Sequence, residues 1–101
     1  MAKLTPDFLA GEWCHVRTEF PDESSDENRT YSFASDGTLK YANAPGEPIE
    51  KPGTYEEKDG ALVIKSTLQF IPLKPVSVEQ DKMTLTSGGG NTIWTRGACG
   101  G

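Results

Sequence analysis

Arg29-Thr30-Tyr31-Ser32-Phe33-Ala34-Ser35-Asp36-Gly37-Thr38-Leu39-Lys40-Tyr41-Ala42 is the stretch on which the fold turns. From Arg29 to Ala34, and again from Thr38 to Ala42, apolar and polar residues alternate. That is the period of an extended strand with one buried face. Tyr31 and Phe33 share the buried face of the first run, and Leu39 and Tyr41 that of the second. Asp36-Gly37 between them marks a hairpin, because tight antiparallel turns need residues that tolerate a positive φ.

The same pattern repeats outward. Gly53–Glu57 reads as a short strand with Tyr55 inward, Lys58-Asp59-Gly60 as a turn, and Ala61–Lys65 as its return. Leu68–Ile71 reads as one more strand, cut short by Pro72. Val76–Glu79 and Lys82–Thr86 alternate across a Gln80-Asp81 turn, with Met83 and Leu85 on one face. Ser87–Asn91 is a glycine-rich turn into the final strand, Thr92–Arg96, and Trp13–Thr18 is the first strand. Ahead of it, Thr5-Pro6-Asp7-Phe8-Leu9 reads as one helical turn, with Thr5 as cap and Pro6 where a missing N–H costs nothing. Two segments read as loops. Glu19–Asn28 is acidic and serine-containing, and Asn43–Gly53 holds Pro45, Pro48 and Pro52, each of which would break a central ladder.

No helical period of useful length follows residue 11, which excludes α/β crossovers. The expected fold is all-β: a small antiparallel up-and-down β-barrel or strongly rolled meander of seven or eight strands, with a short N-terminal helical turn. Closing the order into a barrel removes exposed strand edges. At 101 residues the chain suits one domain over 1–101, its core about 8–97, with a flexible tail from Gly97 to Gly101.

A net charge of −5, with no compensating basic stripe, argues against a nucleic-acid partner. No segment approaches the length of a membrane span, and Asp7 interrupts the one candidate signal-peptide core, so the expected location is cytoplasmic. In a reducing cytosol Cys14 and Cys99 would be free thiols. A closed barrel would instead bring the first and last strands together and place the two cysteines within reach of a disulfide.

Gly11-Glu12-Trp13 after a short helical turn, together with Trp94-Thr95-Arg96-Gly97 at the other end, resembles the lipocalin-like (calycin) barrels. The middle of the chain, Tyr31–Thr38 and Gly53-Thr54-Tyr55, is similar to small bacterial members of that group. The resemblance implies that Trp13 closes the base of the barrel and that Arg96 crosses over it. Stacking of a planar guanidinium on an indole face contributes ~1 kcal/mol. The resemblance also implies a shallow or filled barrel, because full lipocalins are considerably longer.

No catalytic site is legible. His15 is the sole histidine, and Cys14 beside it faces the other side of a regular strand. A thiol–imidazole pair would need Cys99 to reach across the seam, and the plainer reading is a hydrogen-bonded polar residue at the barrel mouth or rim. Asp22, Glu23, Asp26 and Glu27 lack the spacing of a calcium loop. Glu56 and Glu57 are adjacent and so face opposite sides, and Gly88-Gly89-Gly90 lacks the lysine and helix of a phosphate cradle. Gly100-Gly101 reads as a frayed end. No metal and no cofactor is implied.

Tyr31, Phe33, Tyr41, Tyr55 and Phe70 are the candidate ligand-lining residues, with tyrosine hydroxyls signalling a polar network or a wet cavity. Two functions follow: a non-catalytic binder of a small apolar or mixed ligand in the barrel mouth, or a protein-interaction or inhibitory module using the acidic 19–28 loop or an exposed sheet edge. Either suits a monomer or a homodimer. An open cavity above ~300 Å³ would mark the binder, and a filled barrel with a contiguous apolar patch the interaction module.

Overall fold

The computed structural model describes residues 3–66 and 70–99. A four-residue helical turn, α1 (Pro6–Leu9), precedes eight strands. They are β1 (Gly11–Glu19), β2 (Ser24–Phe33), β3 (Thr38–Ala42), β4 (Ile49–Lys58), β5 (Ala61–Ser66), β6 (Phe70–Val78), β7 (Lys82–Thr86) and β8 (Asn91–Arg96). Each pairs antiparallel with the next, and β8 returns to β1, so the sheet is a closed up-and-down barrel. No helix among the described residues is long and apolar enough to cross a membrane.

Local chemistry explains the ends of these elements. The Thr5 hydroxyl accepts from Phe8 N at 3.2 Å and caps α1, with Pro6 at its first position. Asp59 and Gly60 both adopt positive φ, 54° and 82°, which matches the right-handed twist of the β4–β5 hairpin. At the Asp36-Gly37 turn the Asp36 carboxylate accepts from the Thr38 amide and hydroxyl, at 3.0 and 2.6 Å. These bonds hold its pKa below the usual carboxylate value.

One end of the barrel is sealed. Trp13 is fully buried, and its indole N–H donates to the Leu9 carbonyl at 3.1 Å. Leu4 and Leu9 of the N-terminal segment pack into the same core. Arg96, the register partner of Trp13 across the β1–β8 seam, lays its guanidinium 4.2 Å from the Trp13 ring centroid. The same guanidinium donates to the carbonyls of Gln80 and Phe8, at 2.8 and 3.1 Å. A single cation therefore joins α1, the β6–β7 turn and the seam.

Four expectations change. Glu19–Asn28 is not a long loop: β1 runs to Glu19 and β2 starts at Ser24, with Arg17 opposite Asp26 and Thr18 opposite Ser25. The reversal is closed by Phe20 N donating to Glu23 O at 2.7 Å. This ladder rises past the buried core, so it pairs without any apolar alternation. The loop at Asn43–Gly53 likewise shrinks to residues 43–48, because β4 carries Pro52 opposite Lys40. Leu68–Ile71 and Val76–Glu79 are not separate runs: β6 passes through Pro72 and Pro75 unbroken, while Leu68 itself lies outside the described residues.

The stagger of the barrel accommodates these prolines. The β6–β7 ladder begins only at Lys74. Pro72 therefore pairs only with Val63 of β5, and a proline lacking an N–H is tolerated there. Pro75 adjoins a register shift between Pro75 and Ser77.

The fourth change concerns the tail. Gly97 N donates to Glu12 O at 2.7 Å, and Cys99 N to the Thr30 hydroxyl at 3.0 Å. Cys99 is bonded to Cys14 in a disulfide. The chain as far as Cys99 is thus strapped across the outside of β1 and β2; Gly100 and Gly101 lie outside the described residues.

Candidate functional site

Opposite the Trp13 seal, the mouth of the barrel opens into a cavity of about 240 Å³. Its apolar wall comes from Ile64 of β5, Ile71 and Leu73 of β6 and Trp94 of β8, and its polar wall from β1 and β2. Alternation explains most of this. Arg29, Tyr31 and Phe33 share one face of β2, and cross-strand pairing sets Ile71 against Ile64 and Leu73 against Leu62. The β1 register shifts between His15 and Arg17 against both neighbours, which places His15 and Thr18 together on the cavity wall.

Trp94 is fixed by a buried relay in which its indole N–H donates to the Thr92 hydroxyl at 2.8 Å and that hydroxyl donates to Leu85 O at 2.9 Å. His15 stacks on Trp94, with ring centroids 4.7 Å apart and planes 14° from parallel, and its Nε2 lies 3.2 Å from the Thr18 hydroxyl. Burial, with the positive charge of Arg29 adding to it, lowers the His15 pKa to about 4 against a pull upward from a hydrogen bond to the Arg17 backbone. His15 is therefore a neutral imidazole at pH 7. Tyr31 meets the Trp94 indole edge-on at 5.0 Å, and burial raises its pKa while Arg29 opposes that rise.

Arg29 is half-buried, and its Nη2 bonds Glu27 Oε2 at 3.0 Å. Its Nε is buried and meets no hydrogen-bond acceptor among the described residues. Phe20 closes one side of the mouth, seated against Gly90 of the β7–β8 turn. A Cβ on Gly90 would lie 2.8 Å from the Phe20 ring and 2.9 Å from Glu19 O.

Of the five aromatics expected to line a ligand site, only Tyr31 borders this cavity. Phe33 is buried below it, edge-on to Tyr55 at 5.0 Å, and Tyr41 is buried with its ring stacked 5.4 Å from Tyr31. The Tyr55 hydroxyl donates to the Ala34 carbonyl. Phe70 is 66% exposed on the outer wall beneath the Lys65 ammonium, because register with β5 turns Ile71 and Leu73 inward. Arg29 and Glu27 were missed although their parity with Tyr31 was readable.

Cys14 and His15 do face opposite sides of β1, and Cys99 is engaged by Cys14 on the outer wall, so no thiol–imidazole pair exists. Among the described residues no group of three or more His, Cys, Asp or Glu is placed to hold a metal. Phe20, Phe70 and Val76 are the large apolar residues exposed among those described. Phe70 and Val76 are separated along β6 by exposed Lys74, so they do not make one apolar surface.

The architecture is lipocalin-like. The crystal structure of a lipocalin-like protein from Bacteroides uniformis is similar to it with a TM-score of 0.72, covering 89% of this chain and 99% of that one. The two sequences are 16% identical, so the likeness is one of fold. No protein-family model and no curated protein matches the sequence.

Proposed function

We propose that this protein is a non-catalytic carrier or sensor that holds a small ligand in the barrel mouth. One observation carries the reading: a sealed base and an open mouth leave a concave site whose one side is apolar and whose other side offers His15, Thr18 and Arg29. Sites of this composition bind through the apolar side and orient through a few polar groups. At about 240 Å³ the cavity falls short of the ~300 Å³ at which drug-sized ligands begin, and it corresponds to about eight waters of liquid volume. A ligand of roughly a dozen non-hydrogen atoms fits it, and a long lipid would protrude.

The interaction-module reading has less to rest on. The acidic 19–28 segment is mostly paired strand, and ring closure gives every strand two neighbours, which leaves no edge for strand addition. The test is native mass spectrometry of freshly purified protein, followed by ¹⁵N NMR titration with small apolar compounds. Shifts confined to residues such as Thr18, Arg29 and Leu73, and lost in a folded Ile71→Trp variant, are the expected outcome. Shifts that survive Ile71→Trp unchanged would place binding elsewhere and end the proposal.

A further inference from the structure

Phe20 is a large aromatic that does no core packing. It is 41% exposed, and it belongs neither to the buried cluster that fills the barrel nor to the partly buried residues packed on that cluster. Its ring lies instead on Gly90 of the β7–β8 turn, where an added Cβ would come within 2.8 and 3.0 Å of two ring carbons. Both supporting turns are closed by their own hydrogen bonds, Phe20 N donating to Glu23 O at 2.7 Å and Ser87 N to Gly90 O at 3.0 Å. The ring therefore has a set position on the rim, made possible by a residue without a Cβ.

The spaces around the ring give it a role. Phe20 borders the mouth cavity of about 240 Å³, and it also borders a cleft of about 400 Å³ walled by Glu19, Pro21, Thr86 and the Gly88–Asn91 segment. It is the one described residue common to both walls. The chain neighbours interleave: Ser87 and Thr92 border the mouth, whereas Thr86, Gly88 and Asn91 border the cleft. The two spaces are thus contiguous along the same turns, and the ring stands between them.

We infer that Phe20 is the stop that limits the length of ligand the mouth accepts, its ring parting the mouth cavity from the cleft beside it. This rests on the reading of the mouth as a binding site and adds to it the residue that fixes an upper size. Each methylene buried in an apolar site tightens binding about fourfold, and one left in water adds nothing. Affinity for a homologous series of chains therefore climbs until the cavity is full and then levels. With the ring in place, the mouth alone sets where that break falls. Without it, the volume of the ring is vacated and the cleft joins the mouth.

The test titrates the even-numbered n-alkan-1-ols from butan-1-ol to dodecan-1-ol into ¹⁵N-labelled wild type, Phe20→Ala and Phe20→Leu. Because Phe20 lies outside the core, both variants are expected to fold, which the amide spectrum checks. Wild type should show the break, with shifts at mouth residues such as Thr18 and Leu73 and none at Gly88 and Gly89. In Phe20→Ala the break should move to chains longer by at least about two methylenes, a gain of about tenfold or more for the longest chains. The longer alkanols should then shift Gly88 and Gly89 as well, and Phe20→Leu should fall between. A break at the same length in Phe20→Ala, or a wild-type affinity that climbs without a break, would overturn the stop and leave the mouth as the site. Absence of mouth shifts with every alkanol would overturn both.

Discussion

Removing the Cys14–Cys99 crosslink is expected to weaken the protein severely without altering its fold. The bond joins positions separated by 85 residues, so it restricts nearly the whole unfolded chain. Loop-closure entropy for a ring of that size corresponds to about 4.5 kcal/mol at 25 °C. The folded state loses little by comparison. Both cysteines lie on the outer wall, and the β1–β8 seam is held by its own ladder and by the Trp13–Arg96 contact. Urea unfolding of the oxidised protein and of the Cys14→Ser/Cys99→Ser variant should therefore differ by about 3–5 kcal/mol. The amide spectrum should change only around Cys14 and its strand neighbours Thr30 and Thr95, and in the 97–99 segment. A difference below about 1 kcal/mol, or spectral changes spreading through the core, would show that the crosslink does not act on the unfolded chain as argued. Since disulfides persist in oxidising compartments, the protein would be at full stability there and marginal in a reducing one.

Four further outcomes can be checked. Trp13→Ala should cost ~3–5 kcal/mol in chemical unfolding through lost packing, and a loss below ~1 kcal/mol would show that Trp13 does not seal the base. His15 should titrate near pH 4 by NMR. Because its folded pKa lies below the ordinary 6.5, the unfolded chain binds the proton first, so stability is intact above pH 6.5 and falls as pH drops toward 4. That amounts to roughly 2 kcal/mol between pH 7 and 5, and His15→Gln should abolish this component. Gly90→Ala should destabilise by about 1–3 kcal/mol and displace the Phe20 ring, measurable by thermal unfolding and aromatic NMR shifts. Phe70→Ser, on the outer wall, should change stability by no more than about 0.5 kcal/mol.

The strands were legible where one face is buried. Tyr31, Phe33, Leu39, Met83 and Leu85 alternate with polar residues, and the two Asp-Gly turns mark reversals that the structure contains. Alternation fails as a signal where the ladder outruns the core. Ser24–Asp26 pairs with β1 beyond the apolar interior, so nothing selects hydrophobic residues there. Prolines misled for a related reason: a strand paired on one side can carry Pro72, and only the stagger between neighbours reveals which stretch that is. Within the site, the parity of Arg29 with Tyr31 was visible in the sequence. The juxtaposition of His15 and Thr18 was not, because it depends on a one-residue irregularity near Val16 that leaves no mark in composition. Phe70 has the aromatic character of a lining residue but lies one residue out of parity with Ile71 and Leu73, which face inward, so it sits on the outer wall.

The N-terminal helical turn α1 lies under Trp13 at the closed pole of the barrel, whereas the chain past Gly97 runs up the outer wall to Cys99 beside Thr30. A fluorophore, bead or fused domain attached ahead of α1 would therefore grip the molecule by its foot. The rim would face away from the attachment, free to exchange solutes with the surroundings.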